Sequence, residues 1–281
     1  MRIILRQDFP LLILKVWLWR LVGATLVTFV KATFSCFSSV MLTRIYELIN
    51  TWFSSVNGKI RYFKYEGGKW NRPFILNEHY YAPTFSLDGQ TLYFLGGQRD
   101  TLHSLVWQSR RKPDGGWTEP SVYLKKEYGL YDFMPTNSGV CYVGSNAHGG
   151  NRRDYSTYDI CELKMSATDT TIQSLGTPIN TPGFDGDFYV ARDESYIIVS
   201  AKETKDFECE LYISFRRRDK SWSPPVSLGP LINDGVAHRW GEYVTPDGKY
   251  LFYSRGTSPK DCHIYWVRFD RLLKKLAANK E

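Results

Sequence analysis

From about residue 80 the chain alternates short apolar runs with polar turns, and the turns recur at a regular spacing. The first copy is Phe85-Ser86-Leu87-Asp88-Gly89-Gln90-Thr91-Leu92-Tyr93-Phe94. Ala191-Arg192-Asp193-Glu194-Ser195-Tyr196-Ile197-Ile198-Val199 and Thr245-Pro246-Asp247-Gly248-Lys249-Tyr250-Leu251-Phe252-Tyr253 repeat it, and Thr136-Asn137-Ser138-Gly139-Val140-Cys141-Tyr142-Val143 is a worn version. Each copy is an Asp-Gly-like turn feeding an aromatic or β-branched run, the pattern of a β-hairpin. The turn positions 88, 138, 193 and 247 lie 50, 55 and 54 residues apart. A fixed period of that size implies structural units arranged in series.

A second phrase recurs out of phase with the first. Trp70-Asn71-Arg72-Pro73, Trp117-Thr118-Glu119-Pro120 and Trp222-Ser223-Pro224-Pro225 each lead to a leucine a few residues on. Proline cannot donate to a ladder, so these segments read as edge strands. The tail Leu175-Gly176-Thr177-Pro178-Ile179-Asn180 matches Leu228-Gly229-Pro230-Leu231-Ile232-Asn233. Between the two phrases lie the short apolar strands Ser104–Trp107, Asp159–Leu163, Glu210–Ile213 and His263–Val267. The expected unit therefore has four antiparallel strands: entry strand, hairpin, core strand, apolar strand and Trp/Pro edge strand. Such units in series are the blades of a β-propeller, and the fold class is all-β.

The Pro246-to-Tyr253 run, the Ile264-Tyr265 strand and the Trp-x-x-Pro edges resemble the TolB-like (WD-repeat-like) β-propeller repeats of bacterial proteins. The likeness covers roughly residues 58 to 270 and is best between Asp185 and Val267. It implies a propeller with a ligand or partner at its channel mouth, and it names no activity, because such propellers host many. Complete members of that family are usually six-bladed, whereas about four blades are visible here. A truncated six-bladed ring stays open. In the four-blade reading, Ile60 to Leu76 supplies edge strands to the blade begun at Arg239 and so closes the ring.

The domain reading is an apolar, basic segment over 1–55, a propeller over 56–270 and a tail over 271–281 with a short helical pattern. The first segment carries two apolar runs, and its basic residues Arg2, Arg6, Lys15, Arg20, Lys31 and Arg44 face only Asp8 and Glu47. That excess supplies much of the net charge of +7. It reads as a helical membrane anchor or a pair of amphipathic helices, which points to an extracytoplasmic protein, periplasmic or at the cell surface. Lys15 and Arg20 inside the first run are costly at a bilayer centre, so membrane contact is one alternative and replacement of missing blades is another.

Chemistry-bearing motifs are few. The chain has no Gly-x-Ser-x-Gly elbow, no His-Glu-x-x-His and no phosphate-binding Gly-Lys-Ser/Thr loop. Gly144 to Asn151 is glycine-rich but precedes no helical pattern, so it reads as a loop. Five cysteines, with no Cys-x-x-Cys spacing, form no disulfide framework. Cys141 and Cys161 fall on neighbouring strands, where a bridge could form, although buried thiols fit them better. Arg110-Arg111-Lys112 and Arg216-Arg217-Arg218 sit at matching rim turns without interleaved aromatics, so no nucleic acid is expected.

Aligning the units by their hairpins gathers one constellation from the entry strands, which line a propeller's channel. Its candidate ligand-binding residues are His79, Tyr80, Asp132, Asp185, Asp187, His238, Arg239 and Glu242. The set offers carboxylates, imidazoles, an arginine and an aromatic face, suited to a protein loop, a carbohydrate or a divalent cation. The competing reading has Asp132 and Asp185 merely bonding backbone amides. The expected function is a binding or scaffold module without a cofactor. The alternative is a carbohydrate-active hydrolase or lyase that uses the same acids and histidines.

Overall fold

The computed structural model describes residues 3–5, 30–34, 51–56, 59–66, 69–72, 74–97, 100, 103–149, 157–166, 169–201, 209–258 and 261–278. Six strands come first: β1 (Ile3–Leu5), β2 (Val30–Phe34), β3 (Thr51–Val56), β4 (Lys59–Glu66), β5 (Lys69–Trp70) and β6 (Phe74–Glu78). Blade one follows as β7 (Tyr80–Phe85), β8 (Thr91–Gly96), β9 (Leu105–Arg110) and β10 (Ser121–Lys125). Blade two comprises β11 (Leu130–Pro135), β12 (Cys141–Ser145), β13 (Asp159–Met165) and β14 (Thr170–Ser174). Blade three is β15 (Phe188–Val190), β16 (Tyr196–Ala201), β17 (Glu210–Phe215) and β18 (Val226–Ser227). Blade four is β19 (His238–Val244), β20 (Tyr250–Ser258) and β21 (Asp261–Arg268), followed by helix α1 (Phe269–Ala278).

Every blade pairs its strands in chain order, and the innermost strands β7, β11, β15 and β19 face one another in turn. The hairpins between the first two strands of each blade repeat down to single hydrogen bonds. Gly89 N donates to Ser86 O, Gly139 N to Thr136 O, Glu194 N to Ala191 O and Gly248 N to Thr245 O, at 2.7 to 3.1 Å. All four donors have positive φ, which costs Gly nothing but makes Glu194 (φ 58) the strained copy. Asp88, Asp193 and Asp247 each cap the amide two residues on, and Ser138 replaces them in the worn copy.

The blades pack face to face, so their strands are buried on both sides, as the unbroken apolar run Tyr196–Val199 foretells. Leu95, Val106, Phe133, Val143 and Leu163 fill the space between blades one and two. Tyr142, Ile160, Ile197 and Val199 fill the next interface, and Ile198, Ile213, Leu251 and Val267 the one after. Helix α1 closes that last core with buried Phe269, while Leu272, Leu273 and Leu276 pack against it from the rim. The tail of blade two is locked by Asn180, which exchanges hydrogen bonds with both the N–H and C=O of Ile160. Asn233 does the same to Leu211 in blade three.

Closure differs from expectation. Strands β4 and β6 do not join blade four; β4 pairs with β3, β5 and β6 in a separate sheet, whose Ile60 packs on Phe85, Leu92 and Phe94 of blade one. The outer position of blade four is taken by β2, with Ala32 opposite Ile264, and β1 runs parallel to β2 beyond it. The physical reason is edge satisfaction: β21 presents unpaired backbone groups, and a nearby extended segment of any origin can fill them. Three short strands, not helices, are thus what is described within 1–55; the rest of the proposed membrane segment lies outside the described residues. Among the described residues, no helix is long and apolar enough to cross a membrane.

Candidate functional site at the channel centre

The entry strands carry a shared irregularity that builds the site. In β7, β11 and β19 two residues oppose one on the partner strand, at Ala82-Pro83, Asp132-Phe133 and Gly241-Glu242. The first residue of each bulge has positive φ: 48° at Ala82, 50° at Asp132 and 64° at Gly241. Such a bulge bends the strand and re-aims its side chains. Asp187 stands at the same distance before its hairpin turn as Asp132 does.

These bends bring Asp132, Asp187 and Glu242, from three different blades, into one electrostatic cluster. Asp132 is 4% exposed and Glu242 1%. Glu242 Oε1 accepts a hydrogen bond from the Ser200 hydroxyl at 2.8 Å, while its Oε2 and the Oδ1 of Asp132 are buried and accept none. Burial, then the neighbouring Asp187, pushes Glu242 up to about 8. Burial, followed by Asp187 and Glu242, holds Asp132 well above the ordinary carboxylate range. A carboxylate in a dry site beside like charges keeps its proton, because nothing compensates the anion.

The remaining candidates divide. Asp185 belongs to the scaffold: its carboxylate caps the loop by accepting from Thr181 N at 2.6 Å and from the Thr181 hydroxyl at 3.1 Å. Burial still raises it to about 6 against those bonds. Arg239 is fully buried and donates to the carbonyls of Ile232, Cys209 and Ala237 and to Asp234, which also receives Arg255. Its charge is therefore consumed by the junction between blades three and four. Tyr80 is half-buried and packs edge-on to Phe94 and Trp107 at 4.9 and 5.5 Å. His79 is exposed in a turn, where its carbonyl accepts Gly97 N. His238 lies against Trp240, and burial with the adjacent Arg239 charge lowers it to about 4.

Sequence reasoning passed over Ser200, which reaches Glu242 from the second strand of blade three. It also passed over Tyr81, half-buried like its neighbour Tyr80, whose hydroxyl lies 2.9 Å from His103 Nδ1. The register held the signal: the residue one before each bulge position is Tyr81, Tyr131, Gly186 and Trp240. At the exception, a Cβ on Gly186 would stand 2.2 Å from the Phe184 ring, so Gly186 leaves room for that aromatic instead. Phe184 packs edge-on to Tyr131 at 5.3 Å. Tyr81, Tyr131, Phe184 and Trp240 are all half-buried.

Cys141, Cys161 and Cys209 are buried free thiols. Arg216 at the rim bonds Glu162 at 3.2 Å and lies over Trp222 at 4.7 Å, while Arg217 and Arg218 are exposed. Among the described residues, no three His, Cys, Asp or Glu side chains are grouped so as to hold a metal ion.

No family model matches the chain, and no curated protein matches it in sequence. Solved structures do resemble it. A glucose dehydrogenase aligns with a TM-score of 0.50 at 10% identity, over 85% of this chain and 99% of that one. The periplasmic gluconolactonase of Pseudomonas aeruginosa aligns at 0.46 and 10%, over 78% of this chain and 65% of its own. TolB from Acinetobacter baumannii aligns at 0.38 and 13%, over 75% and 51%. The chain thus spans about two thirds of the gluconolactonase and half of TolB. At these identities the likeness concerns the fold, a β-propeller, and does not extend to activity.

Proposed function

We propose that the protein is a propeller binding module, and that its ligand, a protein or a small molecule, is held at the channel centre by Asp132, Asp187 and Glu242. One observation carries the reading: two of these carboxylates are buried with an oxygen that accepts no hydrogen bond. Leaving such groups unpaired costs roughly 1–3 kcal/mol each, a cost a scaffold has no reason to keep. A fold that retains it where three blades meet has a use for the acceptors.

The test is thermal melting of Asp132→Asn and Glu242→Gln at pH 8. Each substitution removes a buried carboxyl with an oxygen that accepts no hydrogen bond, so Tm should hold or rise. A fall of several degrees in both variants would instead show carboxylates that brace the strands.

A second reading, a carbohydrate-active hydrolase, draws on Glu242 being held protonated near neutrality beside other acids, the division of labour of an acid–base pair. Turnover of chromogenic glycosides or lactones, lost in Glu242→Gln, would favour it over a binder. We place the protein outside the cytoplasm, on the strength of the apolar, basic first 55 residues; fractionation of the full chain tests that placement.

A further inference from the structure

We propose that the group recognised at the channel centre is an organic cation with N–H donors, an ammonium or guanidinium, rather than a bare metal ion. The inference rests on the binding reading above and adds the chemistry of the ligand. Three observations converge on it.

The acceptors come first. Asp132 Oδ1 and Glu242 Oε2 are buried and accept no hydrogen bond, and Asp187 adds a third carboxylate. These acids keep their protons while nothing compensates the anion; a ligand that brings positive charge and N–H donors supplies that compensation, and hydrogen bonds between charged partners are about twice as strong as neutral ones.

The spacing comes next. The carboxylates sense one another's charge, yet no three acidic, histidine or cysteine side chains among the described residues are close enough to ligate one ion. A calcium-sized ion needs its oxygen ligands at about 2.3–2.6 Å. A planar guanidinium, or an ammonium with three donors, spans more widely separated acceptors.

The third observation is the aromatic set. Tyr131 and Trp240 precede the Asp132 and Gly241-Glu242 bulges on their own strands, Tyr81 holds the same register in blade one, and Phe184 lies against Tyr131. All four rings keep partial exposure. Organic cations are attracted to ring faces as well as to carboxylates. Asp132 and Glu242 are themselves nearly closed to solvent, so the ligand reaches them by a single protruding group. A lysine or arginine side chain on a partner protein and the end of a free polyamine both have that shape.

The experiment uses the full chain at pH 8 and constant ionic strength. Melting is followed with agmatine, putrescine, the peptide Gly-Arg-Gly, tetramethylammonium, calcium and magnesium, for the wild type, for Asp132→Asn, for Glu242→Gln and for the double variant. The expected result is a rise in Tm of several degrees with agmatine, putrescine or the peptide. Tetramethylammonium, which lacks donors, should give little, and the double variant should give none. A larger shift with the peptide than with the free amines identifies a protein source, and the reverse identifies a small metabolite. If calcium or magnesium stabilises the wild type but not the double variant, and the amines do nothing, the ligand class is overturned while the binding site stands. If no cation separates wild type from variants that themselves melt cooperatively, both the cation and the site are overturned. The single variants keep the comparison open should the double variant fail to melt cooperatively.

Discussion

Glu242 shows how a single residue reports its purpose through its protonation. Its folded-state proton is held up to about 8, against an ordinary value of 4.5. The folded protein therefore binds that proton more tightly than the unfolded chain does. Its contribution to stability is full below about 4.5, falls as the pH climbs, and is gone once the pH passes about 8. At full size the effect is roughly 3–5 kcal/mol. Glutamine mimics the protonated acid, so Glu242→Gln should match the wild type at pH 5 and exceed it by several degrees in Tm at pH 8. Parallel melting curves across that range, with no gap opening, would rule out the buried charge. Asp132 is bound up in the same balance through a left-handed backbone that asparagine also tolerates, so its amide variant changes charge without disturbing the bulge.

At the scale of the element, the same local device is used in blades two and three, and its value can be measured. Asn180 and Asn233 each satisfy a backbone N–H and C=O on the third strand of their blade. Asn233 also reaches the Ser227 hydroxyl at 2.8 Å. Asn233→Ala leaves buried Leu211 N–H and C=O groups without that partner and should cost roughly 2–3 kcal/mol. Urea unfolding reads it as a lower midpoint at unchanged slope. These asparagines were legible as a repeated tail, and the hairpin turns as Asp-Gly-like copies, because both are short-range. Each is fixed by hydrogen bonds between residues no more than a few tens apart, and the chain writes them out in order.

For the whole molecule, the decisive feature is what lies at the ends of the sheets. Strand β2 covers the outer edge of β21, and β1 lies beyond β2. A chain beginning at Lys59 loses both, together with β3, and leaves one edge of β21 and one edge of β4 open. It should melt lower than the full chain and form higher oligomers on gel filtration, because unpaired edges recruit other strands. A shortened chain that stays monomeric and melts as sharply as its parent would show that closure lies elsewhere.

The sequence by itself determined the repeat, the strand order within blades one to three and the hairpin turns at 88, 138, 193 and 247, because these depend on neighbours within about 50 residues and the turns recur four times. It also pointed to the entry strands as the place for chemistry. Only the tertiary structure decided which of their side chains share a space. Asp185 and Asp187 are two residues apart, yet the first caps Thr181 and the second joins carboxylates from two other blades. Arg239 and Glu242 share a strand, yet one is spent on carbonyls and Asp234 while the other keeps an oxygen free. A bulge, a local bend and the angle between blades set those outcomes, and all three come from long-range packing that the order of residues along one strand does not encode.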